Sequence, residues 1–166
     1  MHWLALSHDG ALLFTSDGTP TGTSPNRLAV LRVADGSVVA SRNLPVGRKA
    51  YLSPNDKYIF LPHESGLGGK PICLLDSATL DIIWLSSPPH AYEMVAFRAD
   101  SSEVGAVGTN SGGLFGTSVA KIWDTASGTV HLEATTDFNG PRWFHFLSDG
   151  RAVAGTCLYE SVGKPQ

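Results

Sequence analysis

Charge is scarce in this sequence: 16% of its 166 residues are Asp, Glu, Lys or Arg, against roughly 25% in ordinary globular domains. With 42% of the chain apolar, so low a charge excludes a disordered acidic or basic tail. The net charge is −3, and the Lys and Arg residues are scattered. Without a basic stripe there is no electrostatic footprint for nucleic acid, and no nucleic-acid partner is expected. No apolar run approaches the roughly 20 residues of a membrane helix, and no basic-then-apolar leader opens the chain, so no membrane partner is expected either. Cysteine is rare too: Cys73 and Cys157 fall in expected strands of different repeats. A disulfide between them stays open, but free buried thiols fit better, and this usage points to the cytoplasm.

Catalytic signatures are equally thin. The six histidines show none of the spacings that gather metal ligands, so neither a metal nor a cofactor is expected. Gly66–Lys70 resembles a phosphate loop only on the surface, because its first glycine is missing at the required spacing and Pro71 replaces the Ser or Thr. No nucleophile elbow is present, and neither cysteine has a histidine near it in sequence. Asp9, Asp35, Asp100, Asp124 and Asp149 sit in turn patterns, not as a carboxylate pair.

What the sequence does have is punctuation that recurs. One landmark is an apolar pair, a short polar turn and a second apolar run. It starts at Leu6, Leu52, Phe97 and Phe146, giving steps of 46, 45 and 49 residues. A second landmark follows about 25 residues later and is clearest in Lys121-Ile122-Trp123-Asp124-Thr125-Ala126-Ser127-Gly128, with earlier copies at Leu31–Gly36 and Leu75–Leu80. Two markers in phase define an internal repeat. Asp-Gly and Asn-Asp between apolar runs supply the backbone angles of tight hairpin turns. Each unit therefore reads as four short antiparallel strands, a to d, which in the third unit fall near 92–98, 103–108, 119–123 and 129–135. Such a sheet cannot bury both faces alone, and radial stacking solves that problem.

In this pattern the chain resembles the WD-repeat propellers from Trp3 to about Tyr159. One unit carries the family's dipeptide, Trp123-Asp124, while no Gly-His pair precedes any strand a, so the family's buried Asp-His-Ser/Thr-Trp hydrogen-bond network is not expected. Lactonase-like and quinoprotein-like propellers stay open. The resemblance implies an all-β fold: a β-propeller segment of about three and a half four-stranded antiparallel blades. Blade 1 is expected at about 1–43, blade 2 at 44–88, blade 3 at 89–136 and a half blade at 137–160, with a tail at 161–166. Known propellers have about four to eight blades, so this segment is not a closed ring by itself. Completion by further chain or by oligomerisation is expected, with a self-contained, open or differently folded domain as the remaining arrangement.

The b–c connections, at 17–26, 63–70 and 109–118, are long, whereas the a–b and c–d turns are tight. The resemblance implies that b–c and d–a connections share one face. The d–a connections carry Arg48 and Lys49, His90 and Tyr92, and Arg142 and Trp143, a recurrence of cationic and aromatic groups that suits an acidic peptide, a phosphate or a carboxylate. With His63 and Glu64 from the second b–c loop, the expected binding residues are Arg48, His63, Glu64, His90, Tyr92, Arg142 and Trp143. The expected function is a non-catalytic scaffold presenting a protein- or peptide-binding face. The alternatives are a propeller enzyme of lactonase-like or quinoprotein-like type, in which His63, Glu64, His90 and His145 converge at the channel mouth, and a structural part of a larger propeller. His145, between Phe144 and Phe146, suits a core or a channel-lining position equally.

Overall fold

The structure, a computed structural model, describes residues 3–16, 26–44, 49–62, 71–86, 91–109, 118–136, 143–154 and 157–159. These residues form strands and turns and include no helix. The first sheet is β1 (Trp3–Leu6), β2 (Leu12–Ser16), β3 (Asn26–Arg32) and β4 (Val38–Leu44). The second is β5 (Tyr51–Leu52), β6 (Tyr58–Leu61), β7 (Ile72–Asp76) and β8 (Ile82–Ser86), and the third is β9 (Ala91–Phe97), β10 (Glu103–Thr109), β11 (Ser118–Asp124) and β12 (Val130–Thr136). A fourth sheet has β13 (Phe144–Phe146), β14 (Ala152–Ala154) and β15 (Cys157–Tyr159). Strands lie in sequence order within every sheet, and all pairings are antiparallel. The outcome is the expected all-β segment of stacked blades, with no closed ring. Asn26, Thr109 and Ser118, read as loop residues from the sequence, belong to strands.

The turns explain why the units are so uniform. Residues 7–11, 53–57, 98–102 and 147–151 join first to second strands, and 33–37, 77–81 and 125–129 join third to fourth. In the first set, Gly10, Asp56, Ser101 and Gly150 take left-handed backbone with φ of 58 to 89°. Each donates its N–H to the carbonyl three residues back, at 2.8 to 3.0 Å. Asp9, Asn55, Asp100 and Asp149 then accept the N–H two residues on through Oδ1, at 2.9 to 3.0 Å. A short side chain that can bond its own backbone is what this turn requires. The two turns of a blade are tied together as well: Val33, Ser77 and Thr125 donate their N–H groups to the carbonyls of Ala11, Lys57 and Ser102 at 2.9 to 3.0 Å.

Strand alternation supplies the stacking. In β6, Ile59 and Leu61 face the first blade while Phe60 faces the third, and in β7, Cys73 and Leu75 oppose Ile72 and Leu74 in the same way. Among the described residues the core is therefore three layers, one between each successive pair of sheets. The middle layer is aromatic, with Phe60, Trp84 and Trp123 in mutual ring contact at 5.7 to 6.2 Å and Tyr92 edge-on to Trp123 at 5.3 Å. The last layer depends on a missing side chain: a Cβ at Gly105 would lie 2.1 Å from Phe144 Cε1. Gly105→Ala is expected to lower the unfolding free energy by about 1–3 kcal/mol by overpacking this layer. Urea titration checks it, and a loss below about 0.5 kcal/mol would refute the packing described for that junction.

Candidate functional site

Antiparallel connectivity sends all the five-residue turns to one end of the blades and all other connections to the opposite end. At the short-turn end, successive blades are joined by polar contacts that repeat in kind. His8 donates its backbone N–H to Asp56 Oδ2 at 2.7 Å and places its ring Nδ1 2.9 Å from Oδ1 of the same carboxylate. Asn55 donates its N–H to Ser101 Oγ at 3.2 Å. Farther out, Arg42 of β4 reaches the Leu80 carbonyl at 2.9 Å, and the Trp84 indole N–H of β8 reaches the Thr125 carbonyl at 3.0 Å. Most polar groups of this end bond within their own turns, and these few contacts link one blade to the next.

The third blade achieves the same closure with charge. Arg98 and Glu103 stand where the first two blades have a turn serine and its apolar partner. Glu103, buried, accepts from Arg98 Nη1 at 2.5 Å and sits 2.8 Å from His131 Nδ1. A buried carboxylate needs such compensation, and here it receives two partners. The sequence pattern alone does not reveal this trio, because its members are 98, 103 and 131 and meet only through the pairing of three strands.

At the long-connection end, Arg48, His63, Glu64, His90 and Arg142 lie outside the described residues. Tyr92 and Trp143 lie within them, and they differ. Trp143 is 41% exposed and stands beside His145, ring centroids 6.1 Å apart. His145 is itself exposed, so it is not a core residue. Tyr92, expected on the rim, is fully buried in the aromatic layer. The reason is an irregularity in the β9–β10 ladder, where Met94 pairs with Val107 but Tyr92 with Gly108. The extra residue turns Tyr92 to the face of Val95 and Phe97, against Trp123. Burial pushes its phenol up, and the Glu133 charge adds to that. Neither its hydroxyl nor the Trp123 indole N–H has a hydrogen-bond partner among the described residues.

A cavity of about 410 Å³ runs along the first strands of three blades. Trp3, Ala5 and Leu6, then Ala50, Tyr51 and Leu52, then Val95, Ala96 and Phe97 form its wall, and His8, Ser53 and Pro54 border it at the short-turn end. The wall is chiefly apolar and suits an aliphatic or aromatic side chain more than an ion. Among the described residues no three His, Cys, Asp or Glu side chains gather as metal ligands. Cys73 is free and buried, and burial raises its thiol to about 12 against a small opposing pull from Arg42. It stays protonated and unreactive as a nucleophile.

No protein-family model matches the sequence, and no curated protein matches it. Solved structures do. Hydrazine synthase from Kuenenia stuttgartiensis superposes with a TM-score of 0.66 at 16% identity, over 90% of this chain and 41% of that one. The U3-55K structure gives 0.63 at 15%, over 91% and 44%. The β-propeller domain of Myceliophteria thermophila Cps50 (Swd1) gives 0.57 at 14%, over 79% and 39%. The fold is a β-propeller segment. This chain spans less than half the length of each of these three structures.

The turn aspartates set a pH dependence. Asp9 is held below its ordinary 3.8 first by the Ser7 hydroxyl, Asp35 by the Ser37 hydroxyl, Asp124 by the Ser127 hydroxyl and Asp149 by the Arg151 side chain. The folded chain thus binds fewer acid protons than the unfolded one. This stabilisation is complete above the ordinary value and is lost as pH falls through the lowered folded values. The urea midpoint is expected to hold steady at about pH 5–6 and to drop below about pH 4. Asn55 fills the same turn position without titrating, so the double variant Asp9→Asn, Asp149→Asn should flatten that drop. An unchanged slope would remove these carboxyls as its source.

Proposed function

We propose that this chain is a non-catalytic propeller scaffold that presents a protein- or peptide-binding face at the long-connection end and is completed by further blades. One observation carries the reading: the two ends of the blades are unequal. The short-turn end uses five-residue turns throughout, and its polar groups bond within those turns and at a few points from blade to blade. The other end joins β2 to β3, β6 to β7 and β10 to β11 through residues 17–25, 62–71 and 110–117. Variable connections on a rigid frame are where binding groups usually reside. Arg48, His90, Arg142 and Trp143 belong to the connections that enter each blade at this end, and Arg and Trp are the residue types that dominate binding energy. Their chemistry suits an acidic peptide, and His63 and Glu64 extend the same face. Tyr92 is excluded from direct contact by its burial and acts as support beneath that rim.

Fluorescence titration with a labelled Glu-rich peptide tests the reading. Arg48→Glu with Arg142→Glu is expected to weaken binding at least about tenfold, and Trp143→Ala by a similar factor. Lys57→Glu, on the short-turn end, should leave affinity within about twofold at the same ionic strength. Equal losses at both ends would mean non-specific charge attraction, and absence of binding to any acidic peptide would overturn the proposed partner class.

A further inference from the structure

The first blade has one face against the second blade and another that no described residue covers. That second face is built like a junction. Leu4, Leu6, Leu13, Ala29, Leu31 and Val38 share it through the register of the sheet, where Leu6 pairs with Leu13, Leu13 with Leu31 and Leu31 with Val38. One repeat later, the same six positions are Ala50, Leu52, Ile59, Cys73, Leu75 and Ile82, and all of them pack in the layer between blades one and two. In the first blade, Leu4 is 64%, Leu6 58% and Val38 54% exposed.

The turns give a second, independent indication. In each later blade, the left-handed residue of the first turn meets a group from the preceding blade. Asp56 meets His8, Ser101 meets Asn55, and Gly150 lies under the Arg98 guanidinium, 2.0 Å from where its Cβ would be. The second turn is met by a side chain from the preceding blade's fourth strand, Arg42 at Leu80 and Trp84 at Gly128. At the corresponding Gly10 and Gly36, an added Cβ meets nothing within 4 Å among the described residues.

We infer that this face is a blade-docking surface whose occupant is a complete four-stranded propeller blade. That blade carries an apolar row on its inner two strands and a bulky donor on its fourth. Gly36 matches Gly128, over which the Trp84 ring lies, so the donor is an aromatic side chain of that kind. The interface continues the three already present in the chain, in the same register. A second copy of this chain, the other candidate occupant, would show itself as a stable dimer. The inference rests on the reading that further blades complete the ring and is separate from the binding face.

The test uses the full chain with a duplicate of residues 45–90 placed ahead of Met1, which sets a second Trp84 before Gly36. Hydrogen exchange is compared with the unextended chain. Exchange at the Leu13, Phe14 and Ala29–Leu31 amides is expected to slow at least about tenfold in the extended chain. Leu4→Glu, at an exposed position, and Gly36→Ala should each abolish that gain, with protection in β9–β12 unchanged to show that the fold persists. No slowing in the extended chain, with β5–β12 still protected, would overturn the inference. A stable dimer of the unextended chain that Leu4→Glu converts to monomer would also overturn it, by making a second copy the occupant. Neither result bears on acidic-peptide affinity, so the two readings fail separately.

Discussion

A four-stranded sheet that is apolar on both faces must be covered on both sides, and every other feature of this chain follows from that requirement. The second and third blades satisfy it with neighbours of their own kind. Their alternating strands send Ile59 and Phe60, or Ala106 and Val107, to opposite layers. Apolar burial is non-directional and would tolerate many relative placements of two sheets. The turn contacts remove that freedom. In the turns of the second and third blades a carboxylate, a hydroxyl or a carbonyl takes a donor from the blade before, so each of these sheets is located with respect to the last.

This division of labour accounts for the two ends of the structure. Groups that fix the stacking are consumed at the short-turn end and are constrained in identity by local backbone bonds. The connections at the opposite end differ in length and composition from blade to blade. A rigid frame with one variable end is a general solution for presenting binding groups. Solved structures share the fold at 14–16% identity, and a shared fold does not by itself carry a shared function.

The fold was legible in the sequence because its determinants are local. Asp9, Asn55, Asp100 and Asp149 bond amides two residues away, so they must recur wherever the turn recurs. Strand limits in the third unit agree with the alternation to within about a residue or two. The site was less legible. Tyr92 reads as a rim residue because cationic and aromatic groups recur in the d–a connections, yet an irregularity beside it turns it inward. Nothing in a single-sequence pattern marks a bulge that depends on its partner strand. The Arg98–Glu103–His131 trio was invisible for the same reason: its members come from a turn, a second strand and a fourth, and only the pairing of the sheet brings them together.

The aromatic layer has a practical consequence for anyone following this protein in solution. Trp84 and Trp123 lie 6.2 Å apart in the middle junction, while Trp3 belongs to the first strand and Trp143 stands exposed before the fourth sheet. The indole emission of the chain is thus sorted by depth. Two fluorophores report the centre of the stack and one reports each extremity, so a spectral shift that arrives in stages would reveal fraying from the outside inward as a change of colour.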